Sequence, residues 1–233
     1  MQILSFDTLL RGDEGPAFEK NVGRASSKNI DKTACFYHVI TKSFTGASIF
    51  YRDIASYRAT LLCQQCDEKG MKIIFSVTMN NHTHDVFLTP SWETLVDVLR
   101  VVDRNVSLML RKKYPDRFPK NRKVLRRYPA YIPVRDIVQL FCLGKYIYDN
   151  PAYLPNGVKD APYSCFWMFE SGHFVAGYDK TIYEKLFGMK PLEILETYRT
   201  MDSKAVSRFA IHTFSDWTQE QTRLVFYKKG NPS

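Results

Sequence analysis

The order of hydrophobic and polar positions along this chain predicts strands and helices that alternate. Four short segments are rich in apolar and β-branched residues, as strands are; they span residues 34–41, 71–77, 82–88 and 128–132. Three longer segments repeat apolar residues every three to four positions, as amphipathic helices do; they span residues 53–68, 91–106 and 134–148. The predicted order is β-α-β-β-α-β, with a third helix after the last strand.

Capping signals support the predicted helix ends. Ser91 precedes the second helix and has Thr94 three residues later, where an N-cap serine finds its backbone partner. Gly70 follows the first helix, and Pro151 cannot continue the third helix beyond Asn150. The strand and helix order is that of a ferredoxin-like fold. We therefore predict an α+β domain, a ferredoxin-like antiparallel sheet with its helices on one face.

Two pairs of residues carry candidate chemistry. His82 and His84 are two apart in a predicted strand, so both rings leave one face, should meet a solvent-accessible cleft and can converge on one divalent cation. Such a pair can equally well pack on a sheet without metal. Tyr146 and Asn150 are four apart near a helix C-terminus, so a hydroxyl and an amide oxygen share a face. Tyr148 is turned about 200° from Tyr146 around that helix.

Four motifs occur in a fixed order in the chain. They are FYHVI at residues 36–40, MNNHTH at 79–84, YIYDNP at 146–151 and APYS at 161–164. Their order and spacing resemble those of the single-tyrosine HUH transposases, and most closely the REP-associated tyrosine transposases, which are IS200-like transposases. The resemblance runs over residues 37–164 and implies the same ferredoxin-like fold.

The resemblance implies a metal-dependent endonuclease and transesterase that acts on single-stranded DNA, at hairpin-bearing repeats. Tyr146 would be the nucleophile that forms a 5′-phosphotyrosine, and His82, His84 and Asn150 would hold Mg²⁺ or Mn²⁺. Two other hypotheses stay open. One is a non-cleaving or weakly active protein on the same fold that binds hairpin or single-stranded DNA, and the other is a metal-binding protein unrelated to DNA.

Three positions depart from the family pattern. Thr83 stands between the histidines where a bulky hydrophobic residue is usual, Asn80 replaces a proline, and Asp85 stands where an apolar residue is common. Because neighbouring residues of a strand point to opposite faces, Thr83 should point away from the histidines. We therefore expect the change at residue 83 to cost packing and to leave metal binding intact.

The motifs divide the chain into three parts. Residues 1–32 form an N-terminal extension, in which several glycines argue against a regular element. Residues 33–165 form the transposase-like catalytic domain, and residues 166–233 form a helical C-terminal region. Either a helix-turn-helix unit or a packing appendage would explain the last part. Its periodic pieces span residues 182–187, 192–199, 205–212 and 218–226.

The chain is basic, with 33 Lys and Arg against 24 Asp and Glu and a net charge of +9. This balance favours a polyanionic partner, either nucleic acid or a membrane surface. No apolar run has the length of a membrane span, and the amino terminus lacks the pattern of a signal peptide. We expect a cytoplasmic protein that binds single-stranded or hairpin DNA, without a membrane partner. A monomer and a homodimer are both compatible with the sequence.

Cations are concentrated between residues 104 and 127, with Tyr114 and Phe118 among them. They could follow phosphates while the aromatic rings stack on unpaired bases; a solvated helix end and loop is the alternative. Because the segment separates the two halves of the candidate site, we predict that it contacts DNA, together with one lysine beyond it. The predicted contact residues are Arg104, Arg111, Lys112, Lys113, Arg117, Lys120, Arg122, Lys123, Arg126, Arg127 and Lys145.

The five cysteines are an odd number without a secretory signal, which predicts no disulfide framework. Cys63 and Cys66 form a CxxC pair inside the first predicted helix, and no second pair at zinc-ribbon spacing accompanies them. We interpret both as packing residues.

Overall fold

An antiparallel sheet organises the part of the protein that is described by a computed structural model, namely residues 32–126, 129–134, 137–153 and 161–202. Its strands are β1 (Phe36–Lys42), β2 (Lys72–Thr78), β3 (His82–Leu88), β4 (Ala130–Val134) and β5 (Tyr163–Ser164). They lie in the order β4-β1-β3-β2-β5. The first four strands form the β-α-β-β-α-β unit in the order 4-1-3-2, so the predicted fold class is confirmed.

The helices of the described residues follow the predicted order. They are α1 (Arg52–Glu68), α2 (Trp92–Lys113), α3 (Ile137–Asp149), the 3-10 turn Asn150–Tyr153, α4 (Phe166–Ser171), α5 (Lys180–Phe187) and α6 (Pro191–Thr200). The predicted cap of α2 is present, since the Thr94 N–H donates to Ser91 Oγ at 3.1 Å. The third helix begins at Ile137 rather than at residue 134.

Helices α1 and α2 cover one face of the sheet, as predicted for the ferredoxin-like unit. Side chains alternate along β3, so that Thr83, Asp85 and Phe87 point to this face and are buried. Arg58 of α1 reaches Asp85. Helix α2 contributes its buried stripe to the same core, namely Leu95, Val98, Leu99, Val102, Val106 and Leu110.

Helices α3 to α6 cover the opposite face. Phe75 of β2 pairs with Val86 and so lies on this face, where its ring contacts a cluster of aromatic rings. The cluster consists of Phe166, Phe169, Tyr183, Phe187 and Tyr198. Gly144 of α3 rests directly on it, because an added Cβ would lie 2.6 Å from the Phe75 ring and 2.1 Å from the Tyr198 hydroxyl. The absent side chain lets α3 approach the sheet closely.

The helices after residue 165 pack on the same core as the sheet. The Tyr183 hydroxyl donates to the Ile74 carbonyl at 2.7 Å, and the Tyr198 hydroxyl donates to the Phe141 carbonyl at 2.9 Å. Helices α5 and α6 match two of the predicted periodic pieces, whereas β5 and α4 have no counterpart in the prediction. The predicted pieces at 205–212 and 218–226 lie outside the described residues, as do residues 1–31.

Two further expectations concern membrane-spanning helices and the cysteine thiols. Among the described residues, none of the helices has the length and apolar character needed to span a bilayer. Cys63 and Cys66 are buried free thiols, and burial raises the pKa of Cys63 to about 11. Their burial agrees with the interpretation of both as packing residues.

Candidate active site

The two histidines of β3 lie on the sheet face that carries α3. In the β1–β3 register His84 is opposite Ile40, and His82 is opposite Lys42. The two imidazole centroids are 4.9 Å apart, with the rings at 79°. Burial lowers the pKa of both imidazoles, and the charge of Lys42 lowers it further. Both rings are therefore neutral at pH 7, which is the form that binds metal ions.

Tyr146 brings α3 to the histidines. Its ring meets the His84 ring edge-on, with centroids 5.4 Å apart and an interplanar angle of 87°. Tyr148 lies on another side of α3, where its ring packs against Phe166 at 5.2 Å and Tyr198 at 6.1 Å. The structure thus places Tyr146 beside the histidines and Tyr148 in the aromatic cluster.

Asn150 is the first residue of the 3-10 turn that follows α3. Its side chain is buried, and the amide nitrogen Nδ2 has no hydrogen-bond partner among the described residues. A buried polar atom without a partner costs free energy that a bound group can recover. The amide can also turn over, which would exchange its nitrogen for its oxygen at the same place.

Two residues that the sequence did not single out support the histidines. His38 of β1 is buried, and its Nε2 lies 2.9 Å from His84 Nδ1. Burial lowers the pKa of His38 to about 4, so this ring is also neutral. Asn81 Oδ1 lies 2.6 Å from His82 Nδ1, and Asn81 Nδ2 donates to the Gly46 carbonyl at 3.0 Å. His38 lies in the FYHVI motif and Asn81 in the MNNHTH motif. These motifs were the only sequence signal for the two supporting residues.

One expectation about the site is wrong for His84. The sequence predicts that both rings face a solvent-accessible cleft, but His84 is only 3% exposed, whereas His82 is half-buried. The cause is tertiary packing, because His38 and Tyr146 both lie against the His84 ring.

Thr83 and Asp85 point to the opposite face, towards α1. The buried Asp85 carboxylate accepts hydrogen bonds from Arg58 Nη2 at 2.6 Å, Ser76 Oγ at 2.7 Å and Thr83 Oγ1 at 2.8 Å. The threonine therefore has a hydrogen-bonding role in place of the lost packing that we expected. The departures at residues 83 and 85 belong to one polar cluster, which Arg58 neutralises.

The predicted DNA-contacting residues lie mainly along α2 and in the loop that follows it. Lys113 forms an ion pair with Asp53, and the half-buried Arg111 donates to the Arg122 carbonyl at 3.2 Å. Arg127 lies outside the described residues. The exposed members of the set are Arg104, Lys112, Lys113, Arg117, Lys120, Arg122, Lys123 and Arg126.

The placement of Lys145 contradicts its predicted role. The residue is 3% exposed, and its Nζ donates to Asp149 Oδ1 at 2.6 Å. The same amino group lies 5.4 Å from the centroid of the Tyr148 ring. A buried and already neutralised ammonium group offers no charge to a phosphate, so the prediction that Lys145 contacts DNA is wrong.

The exposed aromatic ring on this basic surface is neither of the two rings that the sequence analysis named, Tyr114 and Phe118. Phe118 is buried and its ring is not displayed for stacking, whereas Tyr114 is half-buried and its hydroxyl donates to Asp53 at 3.3 Å. Phe44, just after β1, is instead 47% exposed. Lys123 Nζ lies 5.5 Å from its ring centroid. We call Phe44 and Lys123 together the Phe44 patch.

The donor set suits a cation that keeps open coordination positions. The described residues contain no group of three or more His, Cys, Asp or Glu side chains that is arranged to hold a metal ion. The available donors are two neutral imidazoles, those of His82 and His84, and the Asn150 amide. Nitrogen and oxygen donors of this kind fit Mn²⁺ or Mg²⁺, which complete their coordination with water and phosphate oxygens.

A comparison with protein families shows which known proteins this domain is similar to. Residues 31–131 match the profile described as IS200-like transposase. Over these residues the chain is similar to the IS200-like transposases. The match supports the suspected family, over a range that includes both histidines and ends before Tyr146.

One of two similar solved structures supports the same fold. A REP-associated tyrosine transposase bound to a REP hairpin superposes with a TM-score of 0.52 at 12% identity, over 66% of this chain and 92% of that chain. A proposed transposase from Deinococcus radiodurans gives a TM-score of 0.36 at 12% identity, over 53% of this chain and 91% of that chain. At such identity the first likeness concerns the fold alone. No curated protein matches the sequence of the chain.

Proposed function

We propose that this transposase domain is a metal-dependent endonuclease and transesterase that cleaves and rejoins single-stranded DNA through a 5′-phosphotyrosine. The observation that supports it best is the edge-on contact of Tyr146 with His84, at a centroid distance of 5.4 Å. It puts Tyr146 on the same sheet face as the two histidines. In-line attack requires the nucleophile and the cation at the same phosphate.

Tyr146 carries the covalent step in this proposal. Its Oη forms a bond to phosphorus while the P–O3′ bond breaks. The phenol loses its proton and the departing O3′ takes one up, so the products are a 5′-phosphotyrosine and a free 3′-hydroxyl. Attack by a different 3′-hydroxyl reverses the step and rejoins DNA. The phosphodiester character is conserved in the adduct, so no nucleotide cofactor is consumed.

His82, His84 and Asn150 are the residues that would hold Mg²⁺ or Mn²⁺. When bound, such a cation polarises a non-bridging oxygen of the phosphate. Two observations favour this role: both imidazoles are neutral, and the Asn150 amide nitrogen has no partner in the described part of the chain. Imidazole ligands suit Mn²⁺ better than Mg²⁺.

The substrate we propose is a single strand that carries a hairpin. The exposed cations on and after α2 give a basic surface, which would follow the phosphates. The Phe44 patch adds a displayed aromatic ring with a cation beside it, on which an unpaired base would stack. The structural neighbour is bound to a REP hairpin, and we extend that class of ligand to this chain.

A second candidate function is that of a non-cleaving or weakly active protein that binds hairpin or single-stranded DNA on the same fold. The burial of His84 favours it, because a buried ring is harder for a hydrated cation and a phosphate to reach. Both candidates predict affinity for single strands. They differ in whether a covalent adduct of Tyr146 forms.

The test compares Tyr146→Phe with Tyr148→Phe. Wild-type protein and both variants are incubated with Mn²⁺ and labelled hairpin-bearing single strands taken from sequences next to the protein's own gene. Wild type and Tyr148→Phe should give a protease-sensitive, slower band on a denaturing gel. Tyr146→Phe lacks the nucleophilic oxygen and should lose that band and cleavage, by a factor of about 10³ or more.

Binding separates chemistry from recognition in the same samples. Tyr146→Phe should retard the labelled strand on a native gel as wild type does, because it lacks one oxygen and keeps the ring against His84. An adduct in Tyr146→Phe, or its loss in Tyr148→Phe, would mean that the nucleophile is misassigned. Tight binding by wild type without any adduct would establish the non-cleaving alternative.

A further inference from the structure

The hydrogen bonds of Asn81 determine which nitrogen of His82 carries the proton. Asn81 Nδ2 lies 3.0 Å from the Gly46 carbonyl, which can only accept a hydrogen bond. This contact sets the direction of the amide, so the oxygen of Asn81 is the atom that lies 2.6 Å from His82 Nδ1. An amide oxygen also only accepts. Neutral His82 must therefore carry its proton on Nδ1, which leaves a lone pair on Nε2.

The loop that contains Gly46 is fixed to the same strand end. The Ser43 N–H donates to the Asn81 carbonyl at 2.8 Å, and Gly46 has a φ of +77°, which favours glycine. The Gly46 carbonyl is thus held beside Asn81, whose side-chain amide it orients. Three hydrogen-bonded groups therefore connect this loop with the candidate cation site. They are the Gly46 carbonyl, the Asn81 amide and the His82 ring.

His84 is supported by His38. The His38 Nε2 to His84 Nδ1 distance is 2.9 Å, the ring centroids are 5.2 Å apart, and the planes differ by only 22°. Nearly coplanar rings at this separation direct an N–H of one ring along the lone pair of the other. Two proton placements satisfy the bond. When His84 Nδ1 donates and His38 Nε2 accepts, Nε2 of His84 keeps its lone pair.

We propose that Asn81 and His38 are positioning residues that hold His82 and His84 as Nδ1–H tautomers and present both Nε2 lone pairs to the cation. Within the described part of the chain, no hydrogen bond engages Nε2 of either histidine. The role in cation binding rests on the proposed function, whereas the tautomers are a property of the protein alone. Partners of this kind commonly change metal affinity about 10- to 100-fold.

The first measurement needs no metal and no DNA. Long-range ¹H–¹⁵N correlation spectra of the metal-free, ¹⁵N-labelled protein report which ring nitrogen of each histidine is protonated. We expect Nδ1–H for His82 and His84 in wild type. An Nε2–H tautomer at either position would overturn the proposal for that residue, whatever the activity of the protein.

The second measurement is Mn²⁺ affinity, determined from the free Mn²⁺ signal by electron paramagnetic resonance. Asn81→Asp keeps an acceptor for His82 and Asn81→Leu removes it, while both lose the bond to Gly46. His38→Gln can still accept from His84 and His38→Phe cannot. The Leu and Phe variants should bind Mn²⁺ about 10- to 100-fold more weakly, and the Asp and Gln variants nearly as tightly as wild type.

The outcomes of the two measurements separate this inference from the proposed function. If wild type has the expected tautomers and binds no Mn²⁺, the metal-dependent function fails and the tautomer assignment stands. If wild type binds Mn²⁺ and all four variants bind it equally well, the positioning roles are overturned and the function stands. Circular dichroism of each variant establishes that the fold is retained, so that a loss of affinity is not a loss of structure.

Discussion

Replacing Arg58 should destabilise the protein strongly, because its guanidinium neutralises a carboxylate without access to water. Arg58 is 1% exposed and Asp85 is 0% exposed. Arg58 donates two hydrogen bonds to the carboxylate, at 2.6 and 3.3 Å, in the forked geometry that favours this pair. In Arg58→Met an unbranched apolar side chain replaces the cation. Of its side-chain donors in the described residues, Asp85 then keeps the hydroxyls of Ser76 and Thr83.

The free-energy cost of Arg58→Met follows from the groups that remain around the Asp85 carboxylate. Removal of one partner of a buried ion pair costs about 3–5 kcal/mol, because the other charge stays buried. Two hydroxyl donors still hold the carboxylate, and Arg58 Nε has no partner within the ranges that the structure describes. Both facts place Arg58→Met in the lower part of that range. Arg58→Lys keeps the charge and loses the fork, so it should cost about 1–3 kcal/mol, the value of a hydrogen bond to a charged group.

The matched control removes both charges. Arg58→Met/Asp85→Val lacks both charges of this pair, and exchange of a whole buried pair for apolar residues is often neutral. Two hydroxyls lose their acceptor at about 1 kcal/mol each, so the double variant should lie about 2 kcal/mol below wild type and above Arg58→Met. Urea unfolding followed by circular dichroism measures each free energy. An Arg58→Met variant within about 1 kcal/mol of wild type, an ordinary substitution effect, would refute the reasoning.

Two further predictions concern pH and DNA. The pKa of Asp103 is raised from 3.8 to about 7, chiefly by burial, so the native state holds this proton more tightly and stability should fall as pH rises from about 4 to about 7. Asp103→Asn should flatten the dependence of the melting temperature on pH in that range. An unchanged dependence would contradict the prediction. Phe44→Ala should weaken single-strand binding with little change in its salt dependence, whereas Lys123→Gln should reduce the slope of log K against log salt by about 0.7. Filter binding over a salt series measures both, and Lys145→Gln, a buried site, serves as the control that leaves the slope unchanged.

Features that depend on local spacing could be predicted from the sequence. The alternation along β3 is sufficient to put His82 and His84 on one face, and the helical angle between Tyr146 and Tyr148 is sufficient to separate them. The Ser91 cap has the same local origin, because its partner is three residues away. Each of these predictions needs only the geometry of one element.

Features that depend on contacts between distant elements could not be predicted in this way. The bond from His38 to His84 joins residues 46 apart and requires the register of β1 against β3. The exposure of Phe44 depends on the pairing of its loop with the segment after α2. Lys145 offers a partial exception, since the i, i+4 spacing to Asp149 is a recognisable ion-pair spacing. Its burial nevertheless depends on the aromatic cluster around Tyr148.

The three departures from the family pattern lie where they leave the histidine face of β3 unchanged. Thr83 and Asp85 point towards α1 and are balanced by Arg58. The backbone carbonyl of Asn80 accepts from the N–H groups of residues 49 and 50 at 2.8 and 2.9 Å, a role that a proline carbonyl fills equally well. Because these changes act through the opposite face or through the backbone, substitutions that restore the family residues should alter stability more than cleavage. Changes at Tyr146, the two histidines or their supports should do the reverse.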